Sequence, residues 1–298
     1  MSIFPTKILL ATDGSREAEL AGRTAADLAS GTSSELHVVH VGEVAPVYHP
    51  ERHGYLARYD KIQEEARRSL DEQVEQLRTA GATITQAHLR MGRADEEIVA
   101  LAEELGAGLI VMGNRGRGGV RRALMGSVSD SVVRHAHCPV LVVRADPIVF
   151  PAKILVATDG SREAELASSS AAELAERTGS ELHIVYVGHI PLIYYESPGA
   201  WALDPDLRSR MQERAGEETK ARLDEQVRRV REDGGEVAEA HARLGRPDAE
   251  IVGLAEELGA GLVVIGSRGL GPLRSALMGS VSHSVVRHAS CPVMVVRE

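Results

Sequence analysis

Residues 7–41 read KILLATDGSREAELAGRTAADLASGTSSELHVVHV, and residues 153–187 read KILVATDGSREAELASSSAAELAERTGSELHIVYV. Of these 35 aligned positions, 25 are identical. A second pair of blocks, 91–144 and 244–297, agrees at 40 of 54 positions. The offset grows from 146 to 153 residues between the blocks, so the later copy carries seven extra residues. A repeat of this length far exceeds the ~20–50 residues of a solenoid unit, so each copy should bury a core of its own. The reading is two domains, 1–146 and 147–298. They join across Ala145-Asp146-Pro147-Ile148-Val149-Phe150-Pro151-Ala152, where two prolines make a short, stiff connector.

The opening stretch sets the fold class. Lys7 to Thr12 is a short apolar run rich in branched residues, read as a buried strand. Asp13-Gly14-Ser15 ends it, and Ser15 is placed to cap a helix running to about Ser30, with Glu17 and Glu19 in the first turn. Leu36 to Val41 is a second strand. Residues 42–60 show no clean period and read as a long loop. Ile62, Ala66, Leu70, Val74 and Leu77 mark an amphipathic helix that Gly81 stops. Ile84 to Leu89 is a third strand, and Asp95 opens a helix through Leu105. Leu109 to Met112 is a fourth strand, residues 113–126 a glycine-patterned loop, Ser127 to about His135 a helix, and Pro139 to Val143 the last strand. Such alternation predicts an α/β fold: two tandem copies of a five-stranded open parallel sheet with helices on both faces. Sheets of that kind bind ligands beyond the strand carboxyl ends, where the strand order reverses.

Composition narrows the function classes. With 43% hydrophobic and 26% charged residues the chain reads as globular, and a net charge of −9 disfavours a nucleic-acid-binding face. Two cysteines, Cys138 and Cys291, at equivalent repeat positions give no disulfide framework and suit a reducing cytoplasm. The amino-terminal residues lack a signal-peptide layout, and no apolar run approaches the ~18 residues that span a bilayer. The expectation is therefore a cytoplasmic protein without membrane or nucleic-acid partners.

Two segments could carry chemistry. One is Gly113-Asn114-Arg115-Gly116, nine residues, then Gly126-Ser127-Val128-Ser129; its twin is Gly266-Ser267-Arg268-Gly269, nine residues, then Gly279-Ser280-Val281-Ser282. It leaves a strand carboxyl end, after Met112 or Ile265, and enters a helix amino end. Glycines let backbone approach a ligand closely, and the helix end offers unpaired N–H groups to an anion such as phosphate. The hydroxyls of Ser127 and Ser129 and the charge of Arg115 would add to that cradle. The alternative is a glycine turn with Ser127 as a simple helix cap. The loop is neither a Walker A loop nor the dinucleotide fingerprint, which follows the first strand. The second segment is Ala11-Thr12-Asp13 and its twin Ala157-Thr158-Asp159. Its carboxylate would hold a ribose hydroxyl or a phosphate-bound metal, or else cap the following helix. Its weight depends on strands one and four being neighbours.

The Thr-Asp-Gly-Ser opening, the His40-Val41 strand end and the G-x-x-G-x9-G-[ST] signature together resemble the universal stress protein family, in its tandem ATP-binding form. The resemblance covers both copies. It implies the adenine nucleotide alpha hydrolase-like fold, with Asp13 and the Val41 backbone around ribose and adenine. It further implies that Gly113, Arg115, Gly116, Gly126, Ser127 and Val128 surround the phosphates of ATP, with magnesium carried on them. The second copy would use Asp159, Val187, Gly266, Arg268, Gly269, Gly279, Ser280 and Val281 likewise. Tyr186 stands where the first copy has His40, a departure that bears on adenine packing.

Other residues invite plainer readings. His135 and His288 sit late in a helix, where a positive charge suits the dipole, and neither has the paired spacing of a metal site. The cysteines read as small buried thiols. The inserts 42–60 and 188–212 differ most between copies and collect Tyr48, His49, His53, Tyr55, Tyr59, Pro191, Tyr194, Tyr195, Pro198, Trp201 and Pro205. They would form a lid, a surface for protein partners, or simply self-packed loops. The last strands, Pro139–Arg144 and Pro292–Arg297, end at sheet edges that need covering. Pairing of those edges would make an internal pseudo-dimer, and a homodimer is also compatible with the sequence. Three functions follow in order of preference: an ATP-binding stress-response regulator with little or no turnover, a slow ATPase or adenylyl-transferring enzyme, and a non-nucleotide interaction module.

Overall fold

The computed structural model describes residues 6–43, 55–116, 125–144, 152–188, 205–270 and 278–297, with side chains from 59 and from 209 in the two segments that begin at 55 and 205. The connector 145–151, the loop interiors 117–124 and 271–277, and most of the two inserts, 44–54 and 189–204, lie outside the described residues. So do the expectations placed on Tyr48, His49, His53, Pro191, Tyr194, Tyr195, Pro198 and Trp201.

The chain divides into two compact units, Met1–Phe150 with Cys291–Val296, and Pro151–Ser290. In the first, β1 (Lys7–Ala11), α1 (Arg16–Thr32), β2 (Glu35–Glu43), α2 (Tyr55–Thr79), β3 (Gln86–Gly92), α3 (Ala94–Leu105), β4 (Leu109–Gly113), α4 (Ser127–His135) and β5 (Val140–Val143) follow in order. Strand β1 lies between β2 and β4, all parallel, with Ala11 opposite both Val39 and Met112. Outward from there, β3 pairs with β2 and β5 with β4, again in parallel. The chain thus steps from β1 to β2 and β3 on one side, then returns to β4 and β5 on the other. The reversal falls between β1 and β4. Strand β10 (Val293–Val296), counted with this unit, runs antiparallel beside β5 with Val293 opposite Val142.

The second unit repeats the plan with β6 (Lys153–Thr158), α5 (Arg162–Thr178), β7 (Glu181–Gly188), α6 (Pro205–Glu232), β8 (Glu239–Leu244), α7 (Pro247–Leu258), β9 (Leu262–Gly266) and α8 (Ser280–His288). Strand β6 pairs in parallel with β7 and β9, and β7 with β8.

Strands buried on both faces explain the continuous apolar runs: Ile8, Leu9, Leu10, Ile110, Val111, Ile154, Leu155, Val263 and Val264 are fully buried. Helix α1 turns Ala18, Ala21, Ala25, Leu28 and Ala29 inward. Two expectations need correction. Helix α2 begins at Tyr55 and α6 at Pro205, inside stretches read as loop. Pro205 suits a first helical position, and polar or aromatic residues in these early turns hid the apolar period. Among the described residues, no helix is long and apolar enough to cross a membrane.

Candidate functional site

The candidate site lies where β1 and β4 end side by side, the place where a sheet of this order opens a crevice. Thr12 leaves β1 with its N–H donating to Val39 O at 3.0 Å. Its hydroxyl donates to Gln73 Oε1 of α2 and accepts from Gly14 N–H at 3.4 Å. Asp13 Oδ1 accepts from Ser15 N–H at 3.0 Å, and Ser15 Oγ accepts from Ala18 N–H at 3.2 Å. Ser15 is therefore the cap of α1, as its sequence position suggests, and Asp13 braces the turn before it. Ser15 Oγ also donates to Arg115 O at 3.3 Å, which ties this turn to the glycine loop.

The loop comes closer still. A Cβ on Gly116 would stand 2.4 Å from Asp13 Oδ2, and one on Gly113 would stand 2.8 Å from the Glu17 carbonyl carbon and 3.0 Å from Ala18 N. Gly269 meets Asp159 Oδ2 at 2.2 Å and Gly266 meets the Glu163 carbonyl carbon at 2.8 Å in the same way. Gly113 and Gly266 face backbone, and their lack of a Cβ lets the first turn of α1 or α5 lie against the strand end; Gly116 and Gly269 face a carboxylate tip, which a Cβ would displace. The adjacency on which Asp13 and Asp159 depended is present in both copies. In the second copy Asp159 braces Ser161 N–H at 2.9 Å and also accepts from Leu270 N–H at 3.0 Å.

Helix α4 starts over the same spot. Its cap is Gly126, not Ser127, and no side chain hydrogen-bonds the cap. Gly126 N–H donates back to Asn114 O at 2.9 Å. Helix α8 repeats this with Gly279 and Ser267 O at 2.8 Å. Ser129 and Ser282 are buried, and their hydroxyls donate inward, to Asn114 O at 2.8 Å and to Gly266 O at 2.7 Å. They fasten the loop rather than offering a hydroxyl outward, whereas Ser127 and Ser280 are exposed at the helix ends. Ala11, Met112, Ala157 and Ile265 are buried, so only their backbone can face a ligand. Val41 and Val187 are partly exposed near the ends of β2 and β7.

Three residues beyond the sequence-based set belong here. Gln73 and Gln226 are buried in α2 and α6, and Gln226 Oε1 accepts from Thr158 Oγ1 at 3.3 Å. The repeated Leu-Asp-Glu-Gln-Val at 70–74 and 223–227 was the available signal. Arg144 follows β5, beside Asn114, whose N–H donates to Val143 O at 2.9 Å. Burial first, and then the charge of Arg115, push the Arg144 guanidinium down to about 10, so it stays charged at neutral pH. Two cations therefore adjoin one loop. Arg115 is half-buried while its twin Arg268 is exposed, so the copies differ here. They differ again at His40, whose Nδ1–H donates to Thr12 O at 2.9 Å where the second copy has Tyr186.

A model described as the universal stress protein family matches residues 5–144 and again 152–297. The chain belongs to the universal stress protein family. It is a tandem member, since both copies match. A universal stress protein from Mycolicibacterium smegmatis is 34% identical over 304 residues, covering 97% of this chain and 96% of its own. Universal stress protein Rv2005c of Mycobacterium tuberculosis is 32% identical over 305 residues, covering 98% and 97%. Among solved structures, a universal stress protein from Archaeoglobus fulgidus aligns with a TM-score of 0.69 at 26% identity, over 98% of this chain and 96% of that one.

Proposed function

We propose that each copy of this universal stress protein binds one adenine nucleotide, ATP with magnesium on its phosphates, and that occupancy rather than turnover is the signal. One observation carries the reading: at the strand-order reversal, the Gly113–Gly116 loop, the uncapped start of α4 and the Asp13 carboxylate converge on one crevice. An uncapped helix end leaves backbone N–H groups for phosphate oxygens. Arg115 and Arg144 supply positive charge beside it. Asp13 and Asp159, set back at the strand ends, suit ribose hydroxyls. Magnesium would be held chiefly by the phosphates, because these carboxylates already brace backbone donors.

The test is titration of nucleotide-stripped, full-length protein with Mg-ATP. The expected result is up to two ATP per chain and a stability gain of about 2.7 kcal/mol at a hundred times the dissociation constant. Phosphate and pyrophosphate release should stay at the no-protein level. Absence of both heat and thermal shift would overturn the reading. One observation favours the interaction-module reading: packing against Asp13, Asp159, Glu17 and Glu163 accounts for Gly113, Gly116, Gly266 and Gly269 without any ligand. Under that reading Mg-ATP leaves the melting temperature unchanged.

A further inference from the structure

We propose that His183, His241 and Glu239 form a binding site for a divalent transition-metal ion of the zinc type, separate from the crevice. Residue His183 lies five positions before the end of β7, which is about 16 Å of strand from the carboxyl edge where the crevice opens. Its register partner on β8 is Glu239, and His241 follows two positions on, so all three side chains share one face of the sheet.

The geometry is that of a ligand set. His183 Nδ1 and His241 Nε2 are 3.1 Å apart. Two nitrogens bound at about 2.0–2.1 Å to one tetrahedral ion stand roughly 3.3 Å apart. Glu239 Oε2 lies 3.8 Å from the first nitrogen and 3.9 Å from the second. Its side chain is 63% exposed, so it can swing the roughly half ångström that closes the triangle. The ligand atoms fall within 4.8 Å of one another. Beyond them, Glu181 Oε2 stands 3.5 Å from His183 Nε2. His183 Nε2 is buried without a hydrogen-bond partner, so Glu181 has to close by a few tenths of an ångström to serve as the outer carboxylate of a carboxylate–histidine–metal triad. Two imidazoles, one carboxylate and one solvent-facing position match the donor preference of zinc.

The first copy supplies the contrast. His37 Nδ1 and His88 Nε2 are also 3.1 Å apart, the ring centroids are 5.4 Å apart in both pairs, and Glu35 stands 3.3 Å from His37 Nε2. Opposite His37, however, lies Gln86 where Glu239 lies opposite His183. Without an ion a hydrogen bond between rings joins both pairs, and in the first copy a neutral amide completes no metal site. The carboxylate is what the second copy adds.

The experiment is zinc titration of chelator-treated, full-length protein without nucleotide, using a chromophoric chelator as competitor. The proposal predicts one tightly held Zn2+ per chain. Glu239→Gln should weaken it on the order of a hundredfold, and Glu181→Gln by about tenfold. Gln86→Glu should raise the stoichiometry from one to two. Cobalt substituted for zinc should give visible bands of a four-coordinate site that His241→Ala abolishes. Zinc binding indifferent to Glu239→Gln, or no zinc retained by the parent protein, overturns it. Folding is controlled for, because Glu239→Gln reproduces the carboxamide already accommodated in the first copy.

Discussion

Replacing Gly116 with alanine asks a single question of the crevice: does the Asp13 carboxylate fill the space beside the loop? The backbone at Gly116 is outside the left-handed region, so alanine suffers no conformational penalty there. The obstacle is contact alone. The added methyl carbon would stand 2.4 Å from Asp13 Oδ2, about 1 Å inside ordinary van der Waals distance. The carboxylate has to move aside, and turning it disturbs the bond that Oδ1 accepts from Ser15 N–H at 3.0 Å. A hydrogen bond to a charged group is worth about 1.5–3 kcal/mol, less where it is partly solvated, as here. Gly116→Ala should therefore cost about 1–2 kcal/mol, a fall of roughly 2–8 °C in the melting temperature of a unit this size. In an Asp13→Ala background the methyl group meets nothing, so the same substitution should cost almost nothing. The assay is a double-mutant cycle by guanidinium unfolding, read on the transition that the single variants shift. Equal costs in both backgrounds, or no cost in either, would refute the packing of Asp13 against Gly116 and remove the basis for the crevice.

Three further outcomes follow from the same geometry. Ser15→Ala removes a helix cap and a hydroxyl bond to Arg115 O, and should cost about 1–2 kcal/mol by chemical denaturation. Gln73→Leu should cost about 1–3 kcal/mol by leaving the Thr12 hydroxyl without its acceptor, while Thr12→Val combined with Gln73→Leu should recover part of the loss. Burial, and then the charge of His37, hold the His88 ring below the usual histidine value. The unfolded ring takes up its proton near pH ~6.5 while the folded one resists, so this contribution is complete above that pH and disappears as pH falls through the folded value. Denaturation midpoints from pH 8 to 5 should show that decline, and His88→Gln should make it shallower.

Most of the fold was legible because duplication printed each signal twice. The apolar runs of β1 and β4, the Ser15 cap and the Gly81 stop each rest on local chemistry that sequence carries directly. Helix starts at Tyr55 and Pro205 were hidden because their first turns carry mostly polar and aromatic residues and show no apolar period in the sequence. In the site, the residue types were readable but their directions were not. Ser129 looks like an outward donor in sequence, and only the path of the loop back to Asn114 O turns it inward. Gln73 and Arg144 escaped because their roles depend on contacts across 61 residues in one case and on strand neighbours in the other. The paired histidines of β2 and β3, and of β7 and β8, escaped for a related reason: only parallel register brings positions more than fifty residues apart onto one face.

The braces at Thr12, Asp13 and Gly116 recur at Thr158, Asp159 and Gly269. Any alteration made in one half can thus be compared with an unaltered counterpart inside the same polypeptide, at identical concentration, buffer and temperature. The molecule brings its own reference channel, and two of the places where the halves disagree, Tyr186 for His40 and Glu239 for Gln86, become ready-made exchange experiments.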